Sequence, residues 1–110
     1  NVLIMGLTFK ENCPDLRNSR VVDLVTEFEE YNCHVDVYDP WVDKIEAQKE
    51  YGIKLIDKPD IGKYDSIVLA VSHAQFKELT LEELRSYGKK SHILYDIKYL
   101  LKVSQSDGRL

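Results

Sequence analysis

Residues 6 to 20 read Gly6-Leu-Thr-Phe-Lys-Glu-Asn-Cys-Pro-Asp-Leu-Arg-Asn-Ser-Arg20, and this stretch holds most of the side chains able to do chemistry. Lys10 supplies a point charge for phosphate or carboxylate. Arg17 supplies a planar fork suited to a pyrophosphate or to ribose hydroxyls. The same guanidinium could instead pair with Asp15 or with a glutamate of the following helix. Arg20 falls in a helix's first turn, where a cation opposes the helix dipole; a bound partner would relieve that placement. Phe9 either packs on a ligand or locks the loop to the core. Gly6 permits a positive φ or a close approach of backbone. Cys13 has no histidine nearby in sequence to activate a thiol, so it reads as structural. Cys13 and Cys33 lie 20 residues apart and match no zinc-ligand spacing. No metal site is expected.

The elements that must position these groups alternate between strand and helix. Val2–Met5 is an apolar run expected as a buried first strand. Val21, Leu24, Val25, Phe28 and Tyr31 recur at helical spacing, with Asp23, Glu27, Glu29 and Glu30 facing out. That helix spans 19–31, with Asn18 or Ser19 as its cap and Asn32 as a left-handed end. Val35–Tyr38 is the second strand. Asp39-Pro40 reads as a cap followed by proline at the first helical position, opening a helix that Gly52 closes. Ile53–Ile56 is a short edge strand, Ile67–Val71 the fourth strand and His92–Tyr95 the fifth. Thr80 and Glu83 fit a capping box, and that helix ends near Gly88. The tail from Lys102 is polar and expected to be loose.

Such alternation predicts an α/β fold: a three-layer, Rossmann-like parallel sheet of about five strands in the order 3-2-1-4-5. The chain then reverses direction between strands 1 and 4, and ligands of open α/β sheets bind there, beyond the carboxyl ends of the strands. The long 6–18 loop ends strand 1, Ser72-His73 ends strand 4, and Asp96-Ile97-Lys98 ends strand 5. Lys10, Arg17, His73 and Lys98 are thereby expected on one rim, around an anionic ligand. A lone histidine such as His73 is more often structural, and Lys98 can equally extend its ammonium into water.

The chain has 110 residues, enough for one domain, with a net charge of −4 and 44% hydrophobic residues. That acidic balance argues against nucleic acid or a membrane surface as partner. No apolar run could span a bilayer and no signal peptide is visible. Two cysteines suggest reduced thiols and a cytoplasmic setting. Asn1 abuts a strand without an initiator methionine, so a longer parent is expected. The residues after strand 1 lack the G-x-G-x-x-G of a dinucleotide site and the P-loop pattern. They also lack the acidic pair of a receiver domain.

The Phe9-Lys10-x(4)-Asp15-x-Arg17 core, joined to Tyr38-Asp39-Pro40, resembles the C-terminal, nucleotide-sugar-binding domain of the UDP-glucose/GDP-mannose dehydrogenase family. The resemblance covers nearly all of residues 1–110. The Asn12-Cys-Pro-Asp-Leu-Arg-Asn-Ser19 variant is most similar to the branch acting on UDP-N-acetylhexosamines for surface polysaccharides such as Vi and O-antigen. The resemblance implies oxidation of a sugar C6 hydroxyl to a carboxylate in two NAD-dependent steps, through a cysteine that lies outside this domain. It implies that Phe9, Lys10 and Lys98 contact the UDP-sugar. Arg17 would reach NAD across an interdomain cleft. The partners implied are the N-terminal NAD-binding and central domains of a homo-oligomeric parent. No catalytic residue is implied here, and the fragment alone is expected to be inactive. The alternative is a stand-alone, non-catalytic nucleotide-binding or regulatory module.

Overall fold

The computed structural model describes residues 1–98 and 100–109. The sheet grows outward from β1 (Val2–Met5), whose four residues are all buried. On one side β1 pairs in parallel with β2 (Val35–Tyr38), on the other with β3 (Tyr64–Leu69). β3 pairs with β4 (Gly88–Asp96), and the two-residue β5 (Gly108–Arg109) adds to the outer edge of β4. The body of the sheet is therefore four parallel strands, β2-β1-β3-β4. The expected neighbours of strand 1 are in place, but the expected edge strand is not. Of Ile53–Ile56 only Leu55 makes a bridge, to Val37. Gly52 and Gly62, both with φ +67°, bracket the segment with turns, which limits the length available for pairing.

Alternation along β1 builds two cores. Val2 and Ile4 face a layer containing Val25, Ala47, Leu55 and Val68, while Leu3 and Met5 face Tyr64, Ile67, Phe76 and Leu84. α1 (Val21–Glu30) and α2 (Lys44–Tyr51) cover the first face. The short α3 (Ala74–Lys77) and α4 (Leu81–Ser86) cover the second. The capping box at Thr80 and Glu83 forms as expected. Tyr31 lies beyond α1, exposed, rather than on its buried stripe.

Three local expectations are corrected. Neither Asn18 nor Ser19 caps α1: Arg20 occupies the cap position, and the Ser19 hydroxyl donates to the Leu7 carbonyl instead. Asp39 does not cap α2. Asp43 does, accepting from the Ile45 and Glu46 amides, which frees Asp39 for a different task. The tail is not loose either. A 3₁₀ turn over Val103–Gln105 leads to β5, and Arg85 grips Asp107 at 3.0 Å, while Asp107 also accepts from the Leu94 amide. Each tie is to a residue distant in sequence, so the tail's own composition carried no sign of it.

Candidate functional site

The connection from β1 to α1 is held in place by one buried carboxylate. Asp39, at the carboxyl end of β2, accepts through Oδ2 from the amides of Leu7 (2.7 Å) and Thr8 (3.3 Å), and through Oδ1 from the Trp41 amide (2.8 Å). His73, fully buried after β3, places Nε2 2.9 Å from the same Oδ2. The Asn12 amide donates to the other ring nitrogen, Nδ1, at 2.9 Å. A nitrogen that accepts carries no hydrogen, so the proton sits on Nε2 and points at Asp39. The Thr8 hydroxyl spends its proton on the Lys10 carbonyl and turns a lone pair to Nε2. Asn12, at φ +54°, returns its side-chain oxygen to the Ala74 amide at 2.7 Å. Leu7 and Leu16 anchor the loop in the core, and the Tyr51 hydroxyl donates to the Leu16 carbonyl. The loop is thus long yet pinned at several points.

Gly6 explains how this loop leaves the sheet. Its φ is +102°, and a Cβ there would stand 2.5 Å from the Val71 Cβ and 2.9 Å from the Val71 amide nitrogen. The glycine is needed because β3's exit passes against it.

Beyond the carboxyl ends of β1, β3 and β4 lies a cleft of about 370 Å³. Thr8 and Phe9 form one side, Arg20, Val21 and Leu24 the side made by α1. Ala70 and Val71, just after β3, and Ile97 and Lys98, just after β4, complete the lining. Phe9 is 56% exposed, so it is a cleft wall and not a core residue. The loop that carries Lys98 is shaped by buried Asp96, whose carboxylate accepts from the Leu100 and Leu101 amides at 3.0 and 2.8 Å.

The residues singled out from the sequence divide. Phe9 and Lys98 line the cleft; Lys10 and Arg17 do not. Lys10 stands exposed on the loop's crown. Arg17 forks onto Asp15, with Nε and the outer nitrogen 3.0 and 3.1 Å from its two oxygens. That fork holds the Asp15 carboxyl below the usual carboxylate range and raises the guanidinium's own pKa. His73 is near this rim but belongs to the clasp beneath it. Asp39, Asn12 and Asp96 are the positioning residues that spacing alone did not mark. An aspartate ending the strand next to β1 was the available signal, and the proline after it made a cap the simpler reading.

Residues 3–103 match the model of the UDP-glucose/GDP-mannose dehydrogenase family, UDP binding domain. The chain is 58% identical over 109 residues to the UDP-N-acetyl-D-glucosamine 6-dehydrogenase of Pseudomonas aeruginosa, a match covering 99% of this chain and 26% of that protein. To the enzyme of the same name from Salmonella typhi it is 52% identical over 110 residues, covering 100% of this chain and 26% of the relative. Among solved structures, the UDP-D-ManNAc dehydrogenase of Pyrococcus horikoshii superposes with a TM-score of 0.76 at 23% identity, over 98% of this chain and 24% of that one. The chain therefore spans about a quarter of the length of these relatives. A domain of this topology, with the Phe9-Lys10 to Arg17 loop clasped over the ends of β1 and β3 and a match along nearly its whole length, belongs to the UDP-glucose/GDP-mannose dehydrogenase family as its UDP binding domain.

Proposed function

We propose that this chain is the C-terminal, sugar-nucleotide-binding part of an NAD-dependent 6-dehydrogenase acting on a UDP-N-acetylhexosamine. The cleft beyond β1, β3 and β4 carries the reading. It lies where the chain reverses direction between β2 and β3, offers cationic side chains at its edge, and has an otherwise apolar wall. A UDP-sugar matches both features, since its diphosphate needs positive charge and its uracil and sugar rings need apolar contact. In this reading Phe9 packs on the ligand and Lys98 neutralises part of the diphosphate. Lys10 reaches the ligand from the loop's crown.

Bound NAD would supply the hydride acceptor for oxidation at C6 of the sugar. The chain's own residues do not make a dinucleotide pyrophosphate cradle. The turn after β1 has one glycine, and its missing Cβ makes room for Val71 rather than for a ligand. NAD is accordingly held by the rest of the parent. Arg17, 87% exposed beside Asp15, is this domain's contribution to it. Binding in the cleft orients the sugar, and closure of the parent over Lys10 and Arg17 excludes water from the reacting carbon.

The test uses the full-length parent. UDP-N-acetylglucosamine and its C4 epimer are oxidised with NAD and followed by absorbance of the reduced cofactor. Lys10→Ala and Lys98→Gln each raise KM for the UDP-sugar by about tenfold, as loss of one charge-assisted phosphate contact would. Arg17→Ala raises KM for NAD more than for the sugar. Failure of every UDP-sugar to support NAD reduction refutes the proposal.

A further inference from the structure

Arg20 is a cation that the fold holds in an unfavourable place. It sits at the cap position of α1, with φ −83° and ψ −14°, and its side chain makes no capping hydrogen bond. Residues favoured there accept a bond from a free amide; an arginine only donates, and its charge opposes the helix dipole. No carboxylate lies within 4 Å of Arg20 among the described residues, whereas Arg17 is filled by Asp15 and Arg85 by Asp107. Arg20 is exposed, and it faces the cleft. Lys98, also without an ion pair among the described residues, lines the same cleft from the loop after β4.

Resting on the reading of the cleft given above, we infer that Arg20 is a positioning and affinity residue for the diphosphate of the sugar nucleotide. It grips that group from the start of α1 while Lys98 holds it from the loop after β4. The diphosphate supplies the anion that Arg20 lacks. Two separated cations suit two linked phosphates better than a single carboxylate, which either one alone would satisfy. The planar guanidinium fixes orientation through paired bonds, and the ammonium supplies charge. The two arginines of the loop thus have separate tasks: Arg17's fork is already closed within the loop, and Arg20's is open toward the cleft.

The full-length parent carrying Arg20→Gln, Arg20→Lys or Val21→Glu is titrated with UDP and, separately, with uridine. Arg20→Gln should weaken UDP about 10- to 100-fold, the range for losing a charge-assisted pair. Uridine, which has no phosphate, should keep its affinity, and Arg20→Lys should recover part of the loss. Wild-type affinity of Arg20→Gln for UDP overturns the inference. So does an equal loss for UDP and uridine, which would mean that Arg20 acts by holding the cleft's shape. Val21→Glu places a negative charge on the cleft wall beside Arg20. If it leaves UDP binding untouched, the cleft is not the ligand site and the functional proposal falls with it. If it abolishes binding while Arg20→Gln does not, only the role of Arg20 falls.

Discussion

Replacing Asp39 by asparagine should unclasp the loop that shapes the cleft. The carboxylate receives hydrogen bonds from Leu7, Thr8, Trp41 and His73 and offers none. An asparagine has only one oxygen. Turned to keep Leu7, Thr8 and His73, its amide nitrogen faces the Trp41 N–H across 2.8 Å, donor against donor. Turned the other way, it sets three donors against it. The better orientation leaves one half-buried amide unsatisfied, at about 1–3 kcal/mol. It also turns three charge-assisted bonds into neutral ones of roughly half the strength. Asp39→Asn should therefore cost about 3–5 kcal/mol, comparable to breaking a buried pair. Urea denaturation of the 110-residue chain measures the loss. His73→Ala and the double variant complete a cycle. Because His73 donates to Asp39, the two losses should be less than additive. A cost below about 1 kcal/mol, or strict additivity, would refute the clasp. In the full-length parent the same variant should weaken UDP, because Phe9 and Thr8 lose their support.

Gly6→Ala combines a φ of +102° with a Cβ 2.9 Å from the Val71 backbone nitrogen, so it should cost about 2–6 kcal/mol by the same denaturation assay. A loss under about 1 kcal/mol would mean that β1 and the exit of β3 are not so closely apposed. Acid stability should report on Asp36. Burial pushes its carboxyl up, but hydrogen bonds from Lys63 and Tyr64 outweigh this and hold it below the usual range. A depressed acid stabilises the fold above its unfolded pKa of about 4, and that contribution disappears as pH falls through the lower folded value. Asp36→Asn should thus be less stable at neutral pH and lose less stability as pH falls below about 4. An acid limb identical to wild type would remove Asp36 from the balance. Asp107→Ala should speed amide exchange at Leu94 and in β5, since Asp107 joins both Arg85 and the Leu94 amide; unchanged exchange would show that β5 holds without it.

Much of the architecture was legible because its signals are local. The run Val2–Met5 pairs where expected. Gly52 closes α2 at positive φ, and Asn32 ends the turn after α1 at φ +63°. Residues 53–56 depart from the expected edge strand for a reason that spacing cannot reveal. Strand character needs a partner along its length, and the edge beside β2 is met only at Leu55. Tail order was hidden in the same way, in Arg85 and Asp107.

From residue types and order alone came the layered α/β pattern, the long cation-bearing loop and the family it resembles. All three rest on residue patterns within a few turns of chain or on two short motifs, Phe9–Arg17 and Tyr38-Asp39-Pro40. Tertiary structure decided which cations face the cleft. Lys98 and Arg20 do, Arg17 is closed on Asp15, and Phe9 is wall rather than core. It also assigned Asp39 to the loop, through contacts to partners 31 to 34 residues away, and tied Asn12 to His73 across 61. A buried carboxylate takes whichever donors the packed elements bring to it, and those donors have no neighbourhood until the sheet has formed.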